Sequence, residues 1–121
     1  MKISGNVNNA FAPIIQFKIG RDEGSLSNTS FLLDTGFNGE VAISDSTFNW
    51  VQPRLGPVVS IKTAAGDVDF QTCRLWVQFG DRSPRDTEAI IFNMDALGME
   101  LLENCTLVMD IQRGNSFAVY V

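Results

Sequence analysis

The chain contains no histidine, two cysteines (Cys73 and Cys105) and 14 aspartate or glutamate residues. Without histidine, the Ser–His and Cys–His nucleophile pairs and every histidine-dependent metal site are excluded. No phosphate-binding loop and no paired CxxC occurs. Carboxylates are then the acid–base groups left for hydrolysis near neutral or acidic pH. One of them has an unusual setting, in the stretch 31–44, FLLDTGFNGEVAIS. Phe31, Leu32 and Leu33 run directly into Asp34-Thr35-Gly36, and an apolar segment, Val41 to Ile43, leaves the loop. A buried strand would thus deliver one carboxylate into a tight turn, with the Thr35 hydroxyl beside it. Gly36 and Gly39 allow a sharp turn and the close approach of another backbone.

The elements that must hold this loop are mostly strands, because apolar residues alternate with period two. Ile3, Gly5 and Val7 suggest a first strand. Pro13 opens a stronger one through Ile15, Phe17 and Ile19, and residues 29–33 form the strand that ends at Asp34. Ser44 and Asp45 can cap a short helical turn containing Phe48 and Val51. Val59 and Ile61 begin a strand after Pro53 to Pro57. Ala64, Ala65, Gly66 and Asp67 read as a hairpin tip. The return strand alternates at Val68 and Phe70, then changes phase to Cys73, Leu75, Val77 and Phe79, which predicts a bulge or bend near Gln71 to Cys73. Residues 89–92 form a short buried strand. Met99 to Glu103 is the best helix candidate in the chain. Leu107, Met109 and Ile111 alternate next, and Phe117, Val119 and Val121 alternate to the end.

The composition sets the bounds on this reading. With 121 residues, 45% of them hydrophobic, the chain fits one globular domain, 1–121, with a real core. The formal charge of −5 disfavours nucleic acid or an acidic membrane surface as partner. No apolar run is long enough to span a bilayer, and no apolar signal region follows Met1-Lys2, so the expected location is the cytoplasm. Two cysteines make no disulfide framework, and both are read as reduced thiols.

Apolar residues followed by Asp34-Thr35-Gly36, with Ala96-Leu97-Gly98 far downstream, resemble the two signature elements of the retropepsin-like aspartic proteases. The resemblance covers roughly residues 13–121. It implies an all-β, closed barrel-like acid protease fold with a flap hairpin and one short C-terminal helix, Met99 to Glu103. Asp34, Thr35 and Gly36 would be the catalytic tripeptide. Phe37, Asn38 and Gly39, with Ala64, Ala65 and Gly66 at the flap tip, would contact substrate. Ala96, Leu97 and Gly98 would thread behind the catalytic loop and buttress it. Two departures stand out. Phe37 occupies a position that is often alanine in the retroviral members. Asn38 and Met99 occupy positions that often carry an acid and an arginine there. Losing both partners of such a pair leaves no charge buried alone.

A chain with one such tripeptide is too short for two lobes, so the resemblance implies a homodimer that pairs one Asp34 from each subunit. Two close carboxylates share a single proton. The ionised partner takes a proton from water, which attacks the peptide carbonyl, while the protonated partner donates to the carbonyl oxygen. No metal or cofactor is implied. In the family, terminal strands from both subunits interleave, which predicts that Ser116 to Val121 pairs with the second subunit. Two other readings stay open: a peptide-binding or scaffold module with this fold and little or no catalysis, and a monomeric barrel in which Asp34-Thr35-Gly36 is only a turn.

Overall fold

The computed structural model describes residues 1–110 and 112–121. Among the described residues, ten strands and one helix follow in the order β1 (Lys2–Val7), β2 (Pro13–Gly20), β3 (Ser27–Leu33), β4 (Val41–Ile43), α1 (Asp45–Val51), β5 (Arg54–Thr63), β6 (Gly66–Gln78), β7 (Arg85–Ile91), β8 (Ala96–Leu97), β9 (Thr106–Val108) and β10 (Ser116–Tyr120). All the strands join one sheet, in the order β5-β6-β7-β4-β8-β3-β2-β1-β10-β9. A further pairing of β2 with β6 (Lys18↔Gln78, Ile19↔Val77, Gly20↔Trp76) closes β6-β7-β4-β8-β3-β2 into a ring. Closure leaves these strands few open edges and gives their alternate side chains a shared interior.

That interior is the core. Ile15, Phe17 and Ile19 of β2, Phe31 and Leu33 of β3, Val41 and Ile43 of β4, and Leu75 and Val77 of β6 are all buried. Phe17 stacks on Phe31 with ring centroids 4.2 Å apart and meets Phe79 edge-on at 5.7 Å. The period-two pattern read from the sequence is thus the inward face of the ring.

Several local expectations hold. Ser44 caps α1, its hydroxyl accepting from the Thr47 amide at 3.2 Å. Asp95 adds to this cap: its carboxylate accepts from the Ser44 amide and from the Thr47 hydroxyl, each at 2.8 Å. The predicted irregularity near Gln71 to Cys73 exists, but the extra residue lies on the facing strand. Leu55 pairs with Cys73 and Val58 with Gln71, so β5 bulges at Gly56-Pro57. Strand β5 consequently starts at Arg54, earlier than the prolines suggest, because the bulge absorbs Pro57, whose nitrogen has no hydrogen to give a ladder.

Two expectations at the C-terminal end are corrected. Residues 99–104 form consecutive tight turns, so the short helix of this fold is α1 and not a C-terminal one. The turns are closed by Leu102 to Met99 (3.1 Å), Glu103 to Glu100 (3.3 Å) and Cys105 to Leu102 (2.9 Å). Gly98 and a left-handed Asn104 (φ 65°) bound a stretch too short to repay helix nucleation. The second correction concerns β10, which is no free terminal edge. It pairs along its length with β1 (Lys2↔Tyr120 to Asn6↔Ser116) and on its other side with β9 (Ala118↔Val108 to Tyr120↔Thr106). Strand β9 is shorter than the alternation at Leu107, Met109 and Ile111 suggests: it ends at Val108, and Ile111 lies outside the described residues.

Candidate active site

Asp34 follows the last residue of β3, and the reason it is held rigidly lies in β8. Strands β3 and β8 run parallel, with Leu32 opposite Ala96 and Leu33 opposite Leu97. The ladder continues one step further, the Asp34 amide donating to the Leu97 carbonyl at 2.9 Å. The chain then turns at once. The Phe37 amide donates to the Asp34 carbonyl (3.1 Å), and the Gly36 amide donates to Asp34 Oδ1 (2.9 Å). One carboxylate oxygen is thus fixed by its own turn, and the side chain stays half-buried. Thr35 and Asn38 are exposed beside it.

Gly98 holds this loop from behind. A Cβ placed on Gly98 would lie 2.8 Å from the Phe37 carbonyl oxygen and 2.7 Å from its ring, with the Gly39 carbonyl closer still. The two backbones can approach this far only where no side chain intervenes. Three hydrogen bonds use the approach: Gly98 to Glu40 (2.9 Å), Met99 to Phe37 (2.8 Å) and Glu100 to Gly39 (3.2 Å). Ala96, Leu97 and Gly98 are therefore brought against the Asp34 loop as a unit. Gly39 serves the same packing, since a Cβ there would strike the Phe37 ring at 2.6 Å. The Phe37 ring folds back over Gly39 and Gly98 while also lining the cleft.

Asp34 lies in a cleft of about 750 Å³. Loop residues Gly36, Phe37, Asn38 and Gly39 form its floor with Val41, Ala42 and Ala96. One wall is the hairpin: Val59, Ile61, Lys62 and Thr63 of β5, and Phe70 of β6. The opposite wall holds Ile90, Phe92 and Met94. Phe70 and Phe92 reach toward each other across the walls, with centroids 5.7 Å apart. The hairpin therefore stands on the same side as Asp34. Its arms line the cleft, whereas the tip residues Ala64, Ala65 and Gly66 are not among the lining residues. Gly66, at φ 103°, projects into open space. The tip turns beyond the cleft because Thr63 and Gly66 are the last paired residues and the cleft ends at Thr63.

Sequence reasoning missed most of the walls. It also missed the acidic lining residues Glu40, Glu88 and Glu100. The alternation of Val59 and Ile61 was the available signal for one wall. No local pattern marks Glu40, whose partner Arg85 is 45 residues away. The Glu40 side chain is only 16% exposed and forms an ion pair with Arg85. Burial pushes the Glu40 carboxyl above its usual range, opposed by Arg85 and reinforced by Glu100. Among the described residues, no three of the His, Cys, Asp and Glu side chains group as a metal site, and no helix is long and apolar enough to cross a membrane.

With this geometry the chain can be set beside solved structures. The retropepsin-like aspartic protease from Rickettsia conorii superposes with a TM-score of 0.64 over 99% of this chain and 91% of that one, at 17% identity. The EIAV protease in complex with the inhibitor HBY-793 superposes with a TM-score of 0.55 over 81% of this chain and 93% of that one, at 18% identity. The chain has the retropepsin-like fold. No family model and no curated protein matches the sequence. The likeness therefore rests on backbone architecture, and at this identity it concerns the fold. The β5–β6 hairpin lines the cleft that holds Asp34, and the Gly98 segment hydrogen-bonds the Asp34 loop.

Proposed function

We propose that this chain is an aspartic endopeptidase that works as a homodimer, with Asp34 of each subunit activating one water. The observation that carries the reading is the half-buried Asp34 carboxylate on the floor of a peptide-sized cleft, with its loop locked from behind through Gly98. A fixed carboxylate suits general base or acid work, because its position is set before substrate arrives. Two such groups brought together at a two-fold axis would share a proton. One would then accept from water while the other donates to the carbonyl oxygen.

The remaining parts take consistent roles. The β5–β6 hairpin serves as a flap whose arms, rather than its tip, press Val59, Ile61 and Phe70 onto the bound peptide. Phe37, Asn38 and Gly39 form the floor beneath the peptide, and the exposed Thr35 braces one loop against its counterpart.

The test is Asp34→Asn in a broad peptide cleavage screen at acidic and neutral pH. Cleavage should fall to background, a loss on the order of 10³-fold or more. The melting temperature should hold within a few degrees, since Asn keeps the acceptor for the Gly36 amide. Wild-type chains mixed with excess Asp34→Asn chains should lose activity as mixed dimers form. Undiminished cleavage by the Asn variant would remove the assignment.

A further inference from the structure

Strand β2 changes partner part-way along its length. Its start pairs with β1 (Asn6↔Ile14, Val7↔Pro13), and its end pairs with β6 (Lys18↔Gln78, Ile19↔Val77, Gly20↔Trp76). The β1–β2 register, carried on, would set Ser4 against Gln16 and Lys2 against Lys18. The two strands separate before this point: β6 takes the β2 edge, while β1 continues along β10 (Lys2↔Tyr120 to Asn6↔Ser116). The separation opens a pocket of about 280 Å³, which shares no lining residue with the Asp34 cleft.

The pocket has an unusual charge for this chain. With 14 acidic and 9 basic residues the chain carries a formal charge of −5, yet no acidic residue lines the pocket. Lys2 and Lys18 both do. Side chains alternate across a strand, so Lys18 projects outward between buried Phe17 and Ile19, and Lys2 projects outward beside buried Ile3. The cross-strand neighbours of Lys18 are two neutral amides, Asn28 on β3 and Gln78 on β6. Among the described residues every ion pair uses an arginine, so neither lysine has a carboxylate partner. Gln16 and Gln78 already give amide hydrogens to the Ser30 hydroxyl (3.2 Å) and the Arg82 carbonyl (3.3 Å). The donors left lining the pocket are the two ammonium groups, the Ser4 hydroxyl and the Asn28 amide. Two like charges converging on one pocket repel unless a counter-ion sits between them.

We infer that this pocket binds a phosphoryl group, held between Lys2 and Lys18, with Ser4 and Asn28 donating to its remaining oxygens. A phosphoryl group carries about −1.5 to −2 charge near pH 7 and three strong acceptor oxygens, so two lysines neutralise it and neutral donors complete it. A single carboxylate would leave one lysine charge unmatched. The pocket is several times the volume of one water, about 30 Å³, which leaves room for a tetrahedral anion and bridging waters. Binding has a structural consequence. Among the described strands, only the short β1–β2 ladder ties the terminal β1-β10-β9 sheet to the ring. An anion across Lys2 and Lys18 adds a second tie and so stabilises the fold. The site stands independently of cleavage at Asp34.

The test titrates inorganic phosphate and, separately, phosphoserine into the purified chain at low ionic strength. Calorimetry should show a single saturable site per chain, and the melting temperature should rise by about 4 °C or more at saturation. Sodium chloride at matched ionic strength should give no saturable shift, and acetate should bind more weakly by about tenfold or more. Lys2→Gln and Lys18→Gln change exposed positions, so both variants fold, and each should weaken phosphate binding by about tenfold or more. Arg21→Gln removes a positive charge outside the pocket and should bind phosphate as the wild type does. The tighter of the two phosphoryl ligands identifies the source, a free ion or a phosphorylated side chain, and either supports the site. No saturable binding by the wild type, undiminished binding by the lysine variants, or acetate bound as tightly as phosphate would each overturn the inference.

Discussion

Gly98→Ala adds one methyl group where the structure has no room for it. The Cβ would meet the Phe37 carbonyl oxygen at 2.8 Å and the Phe37 ring at 2.7 Å, with the Gly39 carbonyl nearer still. The ring can give way, but two backbone carbonyls cannot swing aside alone. Loop and buttress must part by on the order of 1 Å before the contacts become ordinary van der Waals ones. Overpacking of this kind costs ~1–3 kcal/mol. Parting also stretches the three hydrogen bonds from Gly98, Met99 and Glu100 to the loop. Each contributes about 0.5–1.5 kcal/mol. Since the loop relaxes to save some of these, the expected destabilisation is about 2–4 kcal/mol, read by urea denaturation. Activity should suffer more than stability, because a displacement of ~1 Å at a catalytic group can cost about 10²-fold in rate. Gly24→Ala is the control. Its nearest neighbour would be Asp22 Oδ1 at 3.6 Å, so stability should stay within about 0.5 kcal/mol. A Gly98→Ala protein as stable as wild type would refute the packing argument, and one with full cleavage activity would refute the link from buttress to Asp34.

Gly66→Val at the hairpin turn should strain a backbone at φ 103° and cost about 1–2 kcal/mol locally, while raising KM for peptide cleavage; an unchanged KM would detach the hairpin from substrate binding. The Glu40 carboxyl, raised by burial, is disfavoured when ionised, so its contribution to stability is full below the ordinary glutamate range and is lost as pH rises through its folded value. Glu40→Gln fixes the neutral form, so the melting temperature of Glu40→Gln minus that of wild type should be more positive at pH 7 than at pH 4. A difference that grows on acidification would contradict the desolvation argument.

The amino-acid sequence alone determined the local pieces. Alternation at Ile15, Phe17 and Ile19 marks an inward strand face, because side chains alternate across a strand whatever its neighbours. Phe31 to Gly36 encodes a buried strand ending in an acid and a turn, and Ser44 encodes a helix cap. The absence of histidine narrows the chemistry before any fold is known. What only the tertiary structure decided is which pieces touch. The cleft walls at Phe70, Ile90 and Phe92 come from two separate strands, β6 and the end of β7. Glu40 meets Arg85, and Gly98 meets Phe37 and Gly39. Residues 99–103 look helical in isolation, yet the chain leaves the helical conformation at the left-handed Asn104 after little more than one turn, and tight turns result. Likewise, Phe117, Val119 and Val121 announce a strand but not its partners. Spacing along a chain specifies which way a side chain faces. The choice of neighbour depends on ring closure between β2 and β6 and on where the ends of the chain then lie, and that is a property of the whole fold.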